Sequence, residues 1–203
     1  LTGLVFQQPT VIGRRFTVVS DTGQVAVYEV SSEENQEPVT LIAAREPRRG
    51  VRSERYSLVA QGHLWVGSTG LARYSILPSG NRMPVRDVKQ PFRGDNFVYP
   101  LQVVDDVIIH VRRRRGRVGA AVSATDLKTG DVYWETDLAE PAAGPPLTVN
   151  GTDSLYYITG NGRVFVIDRE ALQTGVARKL ARGEVAMNED SWVHFSGQTD
   201  YDL

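Results

Sequence analysis

Four times along this chain, short β-prone runs alternate with tight turns in the same order. Residues 9–30, "PTVIGRRFTVVSDTGQVAVYEV", run strand, Gly13 turn, strand, Gly23 turn, strand. Residues 56–77, "YSLVAQGHLWVGSTGLARYSIL", repeat the plan with Gly62 and Gly70, and residues 146–168, "PLTVNGTDSLYYITGNGRVFVID", with Gly151 and Gly162. A further copy joins "YPLQVVDDVIIHV" to "GAAVSATDLKTGDVYWETDL", with Asp105 and Asp106 at its first turn and an insertion in its second. The first-turn positions 13, 62, 106 and 151 are 49, 44 and 45 residues apart. A unit of that size cannot bury its apolar side alone, so it must stack on its neighbours. The spacing predicts an all-β chain of four-stranded antiparallel blades, a β-propeller, whose blades commonly run about 40–50 residues.

Composition agrees with that reading. The 19 glycines and 10 prolines leave few windows long enough for an amphipathic helix, and "DREALQTG" is the nearest approach to one. Between the breakers lie runs rich in Val, Ile, Tyr, Phe and Trp, which favour strands. In "RVFVID", Val164, Phe165, Val166 and Ile167 are apolar on both faces, which predicts sheets covered on both sides. The turn glycines supply the positive φ that two-residue hairpins need. A phosphate-binding role for Gly160, Asn161 and Gly162 is disfavoured, because a strand rather than a helix follows.

The approximate units are 9–47, 56–91, 98–140 and 145–183, with a partial unit at 186–203. The last begins with "DSWVHFSG" (190–197), which aligns with "DSLYYITG" (153–160) at a shift of 37 residues. It can be completed by N-terminal strands in a small ring, or it belongs to a larger propeller; "LTGLVF" offers about one strand where two are needed, which favours the larger ring.

The bulk numbers exclude several classes. A formal net charge of -1 argues against a chain that is cationic overall and made for nucleic acid. The absence of cysteine removes disulfides, thiolate zinc sites and cysteine nucleophiles. No apolar run approaches the roughly 20 residues of a membrane-spanning helix. The chain opens without an initiator Met, as after removal of a leader or excision from a longer protein.

The repeats resemble the pyrroloquinoline-quinone-like (quinoprotein-type) β-propeller family. The likeness is strongest at "AVSATDLKTGDVYWETDL", through Asp126, Thr129, Gly130 and Trp134. It continues at "GRVFVIDREALQTG", through Gly162, Asp168, Thr174 and Gly175, and is weaker in the first two units. The resemblance implies one of two activities. The family's alcohol and sugar dehydrogenases hold the quinone over a Trp floor with Ca²⁺ on Glu and Asn side chains, a catalytic Asp and often adjacent cysteines. This chain has no Cys, and none of its acidic residues matches the catalytic motif. The other branch resembles envelope scaffolds, including outer-membrane assembly lipoproteins. The expectation is therefore a non-catalytic interaction module in the periplasm or cell envelope, with no catalytic, cofactor or metal residues; a quinone- and calcium-dependent dehydrogenase with its catalytic blades outside this segment is the alternative. A glycan-binding propeller is a further one.

The strongest compositional feature is "HVRRRRGRVG". Arg112, Arg113, Arg114, Arg115 and Arg117 place five guanidinium groups between the second and third strands of the third unit. Such groups stay ionised and grip carboxylate or phosphate in forked pairs. They are the candidate contact for a protein partner, or alternatively for an anionic glycan or lipid headgroup. Nucleic acid is disfavoured, because no aromatic residues are interleaved. His63, His110 and His194 sit singly on or beside strands and read as interior or blade-face residues rather than metal ligands. Asp126 and Asp168 read as turn caps. Trp65, Trp134 and Trp192 read as packing between sheets. The loop "SSEENQEP" (31–38) reads as a solvated connection.

Overall fold

Hairpin turns decide the local structure. Gln61 (φ 48°) and Gly62 (φ 72°) both take the left-handed conformation, so Ala60 and His63 close a two-residue hairpin. Asp105 (φ 54°) does the same work before Asp106, where a short polar side chain tolerates that conformation. The computed structural model describes residues 1–33, 35–47, 52–76, 92, 94–138, 140–148 and 154–167, and the backbone of 85–86, 168 and 184–185. The partial unit predicted at 186–203 lies outside them, as do Gly151, His194, Trp192 and the side chain of Asp168.

Among the described residues there are strands and no helix. The first sheet contains β1 (Thr10–Ile12), β2 (Arg15–Val19), β3 (Val25–Val30) and β4 (Val39–Arg45). The second contains β5 (Tyr56–Ala60), β6 (His63–Gly67), β7 (Leu71–Ser75) and β8 (Val85–Arg86). The third has β9 (Asn96–Phe97), β10 (Gln102–Val104), β11 (Val107–Arg113), β12 (Ala120–Asp126) and β13 (Val132–Leu138). The fourth is β14 (Leu147–Thr148), β15 (Ser154–Ile158), β16 (Val164–Asp168) and β17 (Glu184–Val185). In each, neighbours in sequence are antiparallel neighbours in space. The third departs once: β9 and β10 pair with opposite ends of β11, with Pro100, which has no N–H to give a ladder, between them.

Three apolar layers join the sheets in chain order. Val19, Val25, Val27 and Ala43 of the first sheet meet Leu64, Val66 and Tyr74 of the second. Trp65 and Leu71, on the second sheet's opposite face, meet Phe97, Leu101 and Ile108. Val107, Ile109, Val111, Val122 and Trp134, on the third sheet's opposite face, meet Leu155, Tyr157 and Ile167 of the fourth. The middle sheets are thus covered twice, which is why all seven residues of β12 are buried. In "RVFVID" Ile167 is buried while Val164, Phe165 and Val166 are half-buried, so the predicted two-sided burial is only partial there. Trp65 and Trp134 are at most 1% exposed and fill the second and third layers. The second and third sheets approach closely at Gly67, where an added Cβ would lie 2.5 Å from Phe97 Cδ1.

Side chains also tether each sheet to the next. Gln7 Oε1 accepts from the Ser57 amide (2.6 Å), Tyr56 Oη donates to the Val98 carbonyl (2.9 Å), and Tyr99 Oη donates to the Ala142 carbonyl (2.8 Å). Gln7, Tyr56, Tyr99 and Ala142 are 49, 43 and 43 residues apart, so one repeat position makes the same reach in three successive units.

Candidate functional site: an arginine hairpin rooted in a buried polar layer

Residues 107–113 belong to β11, so Arg112 and Arg113 lie in a strand rather than in the connection where the sequence reading put all five arginines. Strand alternation then separates them. Ile108, His110 and Arg112 face the second sheet, and Ile109, Val111 and Arg113 face the fourth.

Arg112 is 1% exposed. Its guanidinium pairs with Asp95 and Glu135, donates to Ser123 Oγ (2.9 Å) and lies 3.7 Å from the centroid of the Phe92 ring. Burial pulls its pKa down to about 10, against the opposing pull of Asp95, which leaves it ionised at neutral pH. A charge so placed joins the segment around Asp95 to β13 and is closed to any partner. His110 lies beneath it, wholly buried, with Nε2 2.9 Å from Thr125 Oγ1 and its ring between Phe92 and Phe97. Burial, and then the Arg112 charge, hold its pKa well below the ordinary histidine value, so the ring is neutral.

The rest of the cluster sits outward. Arg114 pairs with Glu135 and donates to Asp137 Oδ2 (2.8 Å), which also accepts from Arg117 (3.2 Å). The Arg117 amide donates to the Arg114 carbonyl (3.1 Å), and Gly116 turns the chain at φ 75°. Arg113 and Arg115 are exposed and have no ion pair among the described residues, and Val118 is 80% exposed. A cleft of about 230 Å³ lies beside this tip, lined by Arg114, Arg117, Gly119, Ala120, Asp137 and Leu138.

The hairpin stands out from its counterparts. Measured from the first turn, β11 has seven residues where β2, β6 and β15 have five. Two extra residues lengthen it by roughly 6–7 Å at strand rise.

Asp126 caps a turn. The Asp126 carboxylate accepts from the Lys128 amide (2.7 Å), the Thr129 amide and the Tyr133 hydroxyl (2.7 Å). Burial pushes that carboxyl up, but the hydrogen bonds from Tyr133, Thr129 and Lys128 outweigh it and hold it below its usual range. The described residues of 31–38 join β3 to β4 on the exposed side. No three His, Cys, Asp or Glu residues converge as metal ligands among the described residues. Both described tryptophans, Trp65 and Trp134, are enclosed between sheets. Nothing described forms a helix long and apolar enough to cross a membrane.

Neither a family model nor a curated protein sequence matches the chain. Solved structures do. BamB from Moraxella catarrhalis aligns over 83% of this chain and 47% of its own, with a TM-score of 0.55 and 13% identity. The quinohemoprotein alcohol dehydrogenase ADHIIG from Pseudomonas putida HK5 aligns over 79% of this chain and 32% of its own, at TM-score 0.54 and 14% identity. The computationally designed Ika8 protein aligns over 86% and 47%, at 0.54 and 13%. The chain thus spans less than half the length of each. At such identities the likeness is one of fold. The chain has the β-propeller fold, its described residues forming antiparallel sheets of four strands with the short β9 added to the third.

Proposed function

We propose that this chain is a non-catalytic interaction module whose blade-edge loops dock a protein partner. The observation that carries the reading is the third blade's hairpin: longer than its counterparts, braced at its turn by ion pairs from Arg114 and Arg117 to β13, and presenting exposed Arg113, Arg115 and Val118. Ordering a loop before the partner arrives lowers the entropic cost of binding. The buried Arg112 pairs serve that bracing rather than chemistry. The fold likeness to BamB and the resemblance to envelope scaffolds support the same reading, and a periplasmic or envelope location is part of the proposal.

The test sets this reading against a quinone-dependent dehydrogenase. The protein is incubated with pyrroloquinoline quinone and Ca²⁺, desalted, and assayed for bound chromophore and for dye reduction with alcohols and sugars. The expected result is neither. Stoichiometric chromophore with turnover would overturn the reading.

A further inference from the structure

Deepening the docking function just proposed, and resting on it, we infer that the hairpin of the third blade takes an acidic segment of a partner protein carrying one apolar side chain, rather than a polyanion. Charge balance is the first argument. Of the five arginines, Arg112, Arg114 and Arg117 are paired with Asp95, Glu135 and Asp137, so five positive and three negative charges leave a local net charge of +2. Binding to a polyelectrolyte draws its strength from many cations releasing counterions together, and two do not supply that. Two guanidinium groups suffice for two discrete carboxylates, each gripped in a forked pair.

Shape is the second argument. Arg113 opposes Ala120, and Ala120 opposes Leu138, in one row across β11, β12 and β13. That row places Arg113 on the face that holds the apolar floor of the cleft, Ala120 and Leu138. Arg114 and Arg117 form the rim, each held by Asp137, and Val118 stands exposed above the turn. A volume of about 230 Å³ admits a leucine-sized side chain with room for its backbone. The segment therefore lays its apolar residue into the cleft, and its flanking carboxylates reach Arg113 and Arg115. Asp137 at the rim disfavours an acidic group inside the cleft, so the charges belong outside it.

The probe is a fluorescein-labelled peptide of two glutamates, one leucine and two glutamates, titrated with the protein and read by fluorescence polarisation. Controls are the same peptide with glutamine for glutamate, the same with serine for leucine, heparin, and phosphatidylglycerol vesicles. The expected result is saturable binding of the glutamate–leucine peptide, weakened about tenfold or more by either control substitution. Arg113→Gln with Arg115→Gln should abolish it, and Val118→Ser should weaken it, while the thermal transition is unmoved because all three side chains are exposed. No binding of the peptide, or binding that survives the double variant, overturns the inference. So does tighter retention on heparin or vesicles that the double variant removes, which would leave the interaction module standing with a different ligand. Quinone loading in the preceding test would instead remove the module itself.

Discussion

At the scale of single residues, the same side chain does opposite work depending on where strand alternation places it. Arg112 and Arg115 are three positions apart; one is 1% exposed between two carboxylates, the other is a solvated tip. Arg112→Ala leaves Asp95 and Glu135 facing each other across a vacated guanidinium site and should cost about 3 kcal/mol, whereas Arg115→Ala should change stability by less than about 0.5 kcal/mol. Urea unfolding midpoints of the two variants decide it. Equal effects would mean that the guanidinium of Arg112 is not the brace described. His110 makes a second prediction. Its folded pKa lies below the unfolded value of about 6.5, so the unfolded chain takes up a proton that the folded one refuses. The stability this neutral ring contributes is present above about pH 6.5 and is lost progressively as pH falls. Arg112, above it, adds to the penalty, while Thr125, Phe92 and Phe97 offer no compensating charge. Unfolding curves between pH 7.5 and about 5 should therefore fall more steeply for the parent protein than for His110→Phe. Parallel curves would place the imidazole in water.

At the scale of elements, the tethers from Tyr56 to Val98 and from Tyr99 to Ala142 are repeats of one interaction. Tyr56→Phe and Tyr99→Phe should each lower stability by about 1 kcal/mol, and the double variant should depart from their sum, because Tyr56 grips Val98, the residue beside Tyr99. Chemical denaturation of the three variants measures this. A strictly additive double variant would imply that the two tethers act independently.

Strands and hairpins were readable from the chain because their determinants are local. Gly62 and Asp105 announce their turns, and β-branched runs announce the strands between them. The tethers were readable in principle, since Tyr56 and Tyr99 stand one repeat apart, but a spacing of single residues is faint beside the glycines. The arginine run was not sorted by sequence, because five cations so close together give no sign of which face inward. That sorting comes from register: Ser123 opposes Glu135 and Ala121 opposes Asp137, carrying carboxylates from more than twenty residues away to the guanidinium groups. Alternation of Ile108, His110 and Arg112 with Ile109, Val111 and Arg113 was the available signal, and the hydrophilic look of the run concealed it.

At the scale of the molecule, three apolar layers between consecutive sheets define the construction. Such stacking lets the two middle sheets bury both faces against neighbours of their own kind while loops at the rim vary without disturbing the core. The long hairpin on the third sheet is such a variation, and the interaction proposal depends on the stack that holds it out. Methyl- and aromatic-labelled NOE spectroscopy tests that stack most directly. Contacts are predicted between Val27 and Leu64, between Trp65 and Ile108, and between Ile109 and Leu155, with none between the first and third sheets or the second and fourth. Cross-peaks joining Val27 to Ile109, or Leu64 to Leu155, would show sheets folded over one another as a sandwich and would contradict the account.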